Sequence, residues 1–74
     1  MVDLSIAPLE GVDFSPFPGE IAPDLRQVSF VNANLRSADF SGRVLTDVWF
    51  DNADLSGSRF LNTTLERVDF RKAN

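Results

Sequence analysis

Residues 33–57 read ANLRS ADFSG RVLTD VWFDN ADLSG, and the fold turns on this run. A large apolar residue stands third in each group of five: Leu35, Phe40, Leu45, Phe50 and Leu55, with Leu and Phe in strict alternation. The beat continues back to Phe30 and Leu25 and forward to Phe60, Leu65 and Phe70. Two residues before these centres lie Pro23, Val28, Ala33, Ala38, Val48, Ala53, Ser58, Thr63 and Val68, all small, β-branched or Pro, with Arg43 the exception. A helix would rotate successive centres by about 140° and scatter them over every face. An extended segment instead keeps each centre and the residue two before it on one side. Polar or Gly residues follow, as in Ser41-Gly42, Ser56-Gly57 and Asn62, and these suit a corner. A chain that turns the same way after every short side becomes a solenoid.

The number of sides per coil follows from which residues stack. Three sides would set Phe over Leu at every level. Four sides, a period of 20, give Phe30–Phe50–Phe70, Leu35–Leu55, Phe40–Phe60 and Leu25–Leu45–Leu65. The smaller inward residues then align as Val28–Val48–Val68 and Ala33–Ala53–Ala73, whereas a period of 10 would set Val over Ala. Four sides is the expected architecture.

Upstream, Val2-Asp3-Leu4, Ala7-Pro8-Leu9 and Val12-Asp13-Phe14 form three further units, out of register with Leu25. A loop inserted at 17–22, rich in Pro and Gly signals, brings Leu9 under Leu35 and Phe14 under Phe40. Leu4 then falls beneath Phe30, the one break in a column. A single extra residue is the rival reading, and it places Phe14 among the Leu centres. Residues 1–74 thus read as one domain with thirteen centres: Leu4, Leu9, Phe14, Leu25, Phe30, Leu35, Phe40, Leu45, Phe50, Leu55, Phe60, Leu65 and Phe70. At the spacing of paired strands, coils of this number rise about 15–16 Å.

The units Ala33-Asn34-Leu35-Arg36-Ser37, Ala38-Asp39-Phe40-Ser41-Gly42 and Ala53-Asp54-Leu55-Ser56-Gly57 resemble the pentapeptide-repeat family, whose pattern is Ala-(Asp/Asn)-(Leu/Phe)-X-X. The resemblance covers nearly the whole chain, strictly from about residue 23 and more loosely before. It implies an all-β fold, a right-handed quadrilateral parallel β-helix with one coil per four repeats, here about three coils. It implies less about function: some members bind type II topoisomerases by imitating DNA, and most have no assigned activity.

Composition narrows the chemistry. The 74 residues include no Cys and no His, which excludes disulfides, thiol nucleophiles, imidazole bases and His or Cys metal sites. Asp47, Asp51, Asn52 and Asp54 lack the Gly and closing Glu of a calcium loop. No catalytic residues, cofactor, metal or small-molecule substrate are expected, and the chain reads as no enzyme. The net charge of −4 argues against nucleic-acid or anionic-membrane partners. No run approaches the ~20 apolar residues of a membrane span, and a cytoplasmic location is expected.

Charge is polarised along the chain: residues 1–25 carry −5, residues 26–56 carry −1, and residues 57–74 carry +2. Outward columns mix signs, as in Asp13–Asp39–Arg59, Glu10–Arg36–Ser56, Val31–Asp51–Arg71 and Asp47 beneath Arg67. A continuous acidic stripe, which a DNA mimic wants, is absent. The candidate interaction residues are Trp49 and Val31 in outward slots, Phe70, Arg71 and Lys72 at the last coil, and Phe17 on the loop. Trp49 reads either as a tolerated surface apolar or as a contact patch. Arg43 reads as snorkelling to solvent or as presented to a partner. The loop, with Phe17 and Ile21 as apolar tips, reads as a lid or as a binding projection. The expected function is a structural or protein-interaction module that binds other proteins, or itself, through its ends and one side. The alternatives are a topoisomerase-binding DNA mimic and an excerpt of a longer repeat protein with no independent role.

Overall fold

The computed structural model describes residues 1–20 and 24–74. One backbone feature recurs through it. The residue two after every centre but Phe14 takes a positive φ: Ile6, Gly11, Gln27, Asn32, Ser37, Gly42, Asp47, Asn52, Gly57, Asn62, Arg67 and Lys72. Left-handed backbone is tolerated by Gly and Asn and strains most other residues, which is why so many corners carry Gly, Asn or another small polar residue. Most corners are closed by a β-turn hydrogen bond from the amide three residues on, as in Ala33 to Phe30, Ala38 to Leu35 and Ala53 to Phe50. No such bond follows Leu25, Leu45 or Leu65 among the described residues.

That difference decides where regular strand forms. Among the described residues the strands are β1 (Val2–Asp3), β2 (Asp24–Arg26), β3 (Val28–Ser29), β4 (Val44–Thr46) and β5 (Thr64–Glu66). The three-stranded sheet β2-β4-β5 runs through the units without turn bonds, and β-branched Val44, Thr46 and Thr64 flank its centres. Branched residues suit a pleated wall. Elsewhere the units pair through single parallel bridges, apart from the short β1-β3 pair.

All pairing is parallel and nearly all of it steps by the same interval. Leu25 pairs with Leu45 and Leu45 with Leu65, while bridges join Ser29 to Trp49, Asn34 to Asp54, Asp39 to Arg59 and Trp49 to Asp69, each 20 residues apart. Upstream the interval is 26: Val2 with Val28, Pro8 with Asn34, and Asp13 with Asp39. Six additional residues therefore separate the first three units from the rest, and Phe14 neighbours Phe40, not a Leu. Ile21 and Ala22 of the expected loop lie outside the described residues.

Two Phe columns run through the interior. Rings stack face to face in Phe14–Phe40–Phe60, at 4.8 and 5.3 Å, and in Phe30–Phe50–Phe70, at 5.2 and 5.1 Å. Rings of one column meet those of the other edge-on, at 5.6 Å for Phe40 and Phe50. Offset stacks and edge contacts are the arrangements that aromatic quadrupoles favour. The buried apolar residues are Val28, Phe30, Ala33, Leu35, Ala38, Phe40, Leu45, Val48, Phe50 and Ala53, all centres or residues two before one. Leu4, Leu9, Phe14, Leu25, Leu55 and Phe60 are only partly covered, and Leu65 and Phe70 are exposed. The core thus sits in the middle of the chain and thins toward both ends. The extents along the principal axes are 32 × 22 × 18 Å.

Candidate functional site

The residue before each centre has a task that its outward position does not announce. In seven units its side-chain oxygen accepts the amide hydrogen two residues on: Asp3 from Ser5, Asp13 from Ser15, Ser29 from Val31, Asn34 from Arg36, Asp39 from Ser41, Asp54 from Ser56 and Asp69 from Arg71. These local bonds satisfy a backbone donor that has no ladder partner. The serines also lower the carboxyl pKa values of Asp3, Asp13 and Asp39. Asp54, held by the Ser56 hydroxyl, then by Arg36 and the Ser56 amide, is lowered furthest, to about 2. The pairing signal was present in the sequence as Asp-X-Ser at 3–5, 13–15, 39–41 and 54–56.

Trp49 stands where the pattern supplies an oxygen. In the register it lies between Ser29 and Asp69, both of which make the local bond. Trp49 and Val31 are each half-buried, so neither projects freely. Asp51, two residues after Trp49, has an Oδ1 shielded from solvent with no hydrogen-bond partner. Arg71 turns to Asp69, at 3.3 Å, and not to Asp51 as the column suggested. Other charges pair across units: Arg67 with Asp47 at 2.7 Å, Arg36 with Asp54 at 2.7 Å. Arg67 pulls the Asp47 carboxyl pKa down, and Asp47 in turn raises that of Arg67.

The two ends differ. At the C-terminal end Leu65 is 46% and Phe70 39% exposed, with Leu61 exposed beside them. The amides of Phe60, Asn62, Arg67, Phe70 and Lys72 find no backbone acceptor among the described residues, whereas the corresponding amides of Phe40, Gly42, Asp47, Phe50 and Asn52 all do. This is an open parallel edge. Lys72 and Arg71 flank it, both exposed. At the other end, Pro8 occupies a ladder position where Asn34 of the next layer donates to the Ala7 carbonyl, and its missing N–H removes one donor from that edge. Acidic Asp3 and Asp13 stand on the same layer. Pro8 thus blocks one ladder position of this end, and the acids discourage docking of a like-charged edge.

Arg43 overturns the expectation of a side chain reaching solvent. Its guanidinium pairs with Glu20, each side chain only 14% exposed, and its Nε donates to the Phe14 carbonyl. The inward slot thus serves to tie residues 14 and 20 to the next layer. Residues Phe17-Pro18-Gly19-Glu20 form a turn closed by the Glu20 amide on the Phe17 carbonyl at 3.0 Å, with Gly19 at φ 87°. Pro then Gly at the two central positions suits a type II turn. Pro16 packs against Gly42, where an added Cβ would lie 3.4 Å from the Pro16 ring. Phe17 is 67% exposed at the tip, and Ile21, its expected companion, lies outside the described residues.

These features define an all-β repeat protein whose backbone is a stack of parallel five-residue units. Eight copies of the pentapeptide repeat are recognised in it, over residues 22–57 and 49–74. The chain belongs to the pentapeptide-repeat family, a family whose repeats imply a β-helix. No curated protein and no solved structure matches it.

Proposed function

We propose that the chain is a non-enzymatic protein-interaction module. In this reading it is a right-handed, four-sided β-helix of about three coils, one domain over 1–74 with an insert at 17–22. It docks proteins, a second copy of itself included, on its C-terminal end. The register of 20 supports four sides, since four five-residue units separate each paired residue from the next. The observation that carries the docking role is the C-terminal edge: unpaired amides beside exposed Leu65 and Phe70. An edge of this kind recruits another strand, and apolar area beside it adds to the gain. A second copy brings an acidic N-terminal layer opposite Arg71 and Lys72, so head-to-tail contact is favoured by charge. Absence of His and Cys from the sequence is consistent with a role without catalysis.

A topoisomerase-binding DNA mimic is the weaker alternative. Such a surface needs continuous negative charge, whereas Arg36 and Arg67 neutralise Asp54 and Asp47 along the wall. Sedimentation velocity over a concentration series tests self-docking. Mass that rises with concentration beyond a dimer is expected for head-to-tail contact, and a fixed dimer would point to a two-fold contact instead. A monomer throughout would exclude a second copy as the occupant.

A further inference from the structure

We propose that the N-terminal layer is a second binding surface, built around Ile6, and that it takes the C-terminal edge of another copy of this chain. This rests on the reading of the C-terminal edge as a docking surface and names what fills it.

Hydrogen bonding between layers is lopsided. An interior unit sends two amides forward along the stack and one back. Phe30 and Asn32 donate forward to the Trp49 and Asp51 carbonyls, while Asn34 donates back to Ala7. The first layer therefore ends in acceptors. The carbonyls of Ser5, Pro8, Glu10 and Asp13 accept no backbone bond among the described residues, whereas those of Val31, Asn34, Arg36 and Asp39, one layer in, all do. Pro8 deletes a donor from this face and leaves its carbonyl in place. The last layer ends in donors: the free amides of Phe60, Asn62, Arg67, Phe70 and Lys72 outnumber the free carbonyls of Ser58, Thr63 and Val68. Two C-terminal edges brought together would leave amides unpaired, and two N-terminal layers would leave carbonyls unpaired. An N-terminal layer set on a C-terminal edge repeats the match found between layers inside the fold.

Ile6 shows that the first layer is shaped for such a contact. Its backbone is left-handed, at φ 57°, where the same column holds Asn32 and Asn52. A β-branched side chain is strained in that conformation. The side chain is also 76% exposed, so burial within the chain does not offset the strain. Val2 in β1 and Met1 before it are exposed on the same layer. Burial in an assembly accounts for these side chains, and exposed Leu65 and Phe70 supply the apolar counterpart at the opposite end. Charge agrees, with exposed Asp3, Glu10 and Asp13 on one face and Arg71 and Lys72 on the other.

Variants that block one face each provide the test. Ile6→Lys blocks the N-terminal layer, and Lys72, at φ 56°, shows that lysine fits a corner of this column. Leu65→Lys blocks the C-terminal edge, and Leu61→Lys replaces it should that chain not fold. Each variant keeps the other face intact. In sedimentation velocity each alone should be a monomer at concentrations where the parent assembles, and their equimolar mixture should give a 1:1 dimer and nothing larger. Ile6→Asn, the residue found in the next layers, should weaken self-association about tenfold. It should also raise the thermal midpoint of the dilute protein by a few degrees. An Ile6→Lys chain that assembles like the parent would overturn the proposal and leave C-terminal docking standing, since copies would then meet through their C-terminal ends. A mixture that stays monomeric would overturn it as well. Failure of the C-terminal reading looks different: Leu65→Lys would assemble like the parent, or the parent would stay monomeric at every concentration, and either result removes both.

Discussion

At the scale of single residues, the carboxylates before the centres act as fixed acceptors for the backbone. The charged forms of Asp3, Asp13, Asp39 and Asp54 are favoured, and Asp54 shows it most, its pKa lowered from 3.8 to about 2. Ser56 is the main cause, followed by Arg36. A group whose folded pKa lies below its unfolded one adds stability above the unfolded value and loses it as pH falls through the folded value. Asp54 should therefore add stability above about pH 4 and lose it progressively toward pH 2. Its carboxyl carbon, followed by NMR, should titrate near pH 2, and a midpoint near 3.8 would show that the bonds from Ser56 and Arg36 do not hold in solution.

At the scale of elements, the link between Arg43 and Glu20 fixes how residues 14–20 join the repeat. Each side chain is 14% exposed, so removing one partner leaves the other poorly solvated. Glu20→Ala should lower the unfolding free energy by about 2 kcal/mol in urea, with the slope unchanged. A loss under about 0.5 kcal/mol would mark the pair as an ordinary surface contact. The repeat itself was legible in the sequence because its centres are spaced without error from Leu25 to Phe70, and spacing is what sets parallel register. The Arg43 link was not, because Glu20 lies off the repeat and no periodicity points to it. The local caps fell between: Asp-X-Ser was visible, but it read as outward polarity until the amide bonds gave it a cause. Trp49 was singled out as an outward aromatic, yet the missing acceptor at its position emerges only against the capped units around it.

For the whole molecule, stability should be graded along the stack. Phe50 is fully buried between Phe30 and Phe70, with an edge contact to Phe40, while Phe70 is 39% exposed with a ring on one face only. Phe50→Ala should cost about 3–5 kcal/mol, a large part of the stability of so short a chain. Phe70→Ala should cost nearer 1 kcal/mol, in proportion to the apolar area it buries. Equal losses in chemical denaturation would contradict a core centred on the middle layers.

The proposed docking falls on the C-terminal end, whose edge is poorly covered in the chain alone. Amide hydrogen exchange, measured at low and high protein concentration, tests this most directly. The Phe40, Phe50 and Asn52 amides, already paired in the ladder, should exchange slowly at both. The Phe60, Asn62, Phe70 and Lys72 amides should exchange fast in the dilute protein and slow down as concentration rises. Rates at those four amides that do not change with concentration, or protection already present in the dilute protein, would contradict a C-terminal edge that docks a second copy.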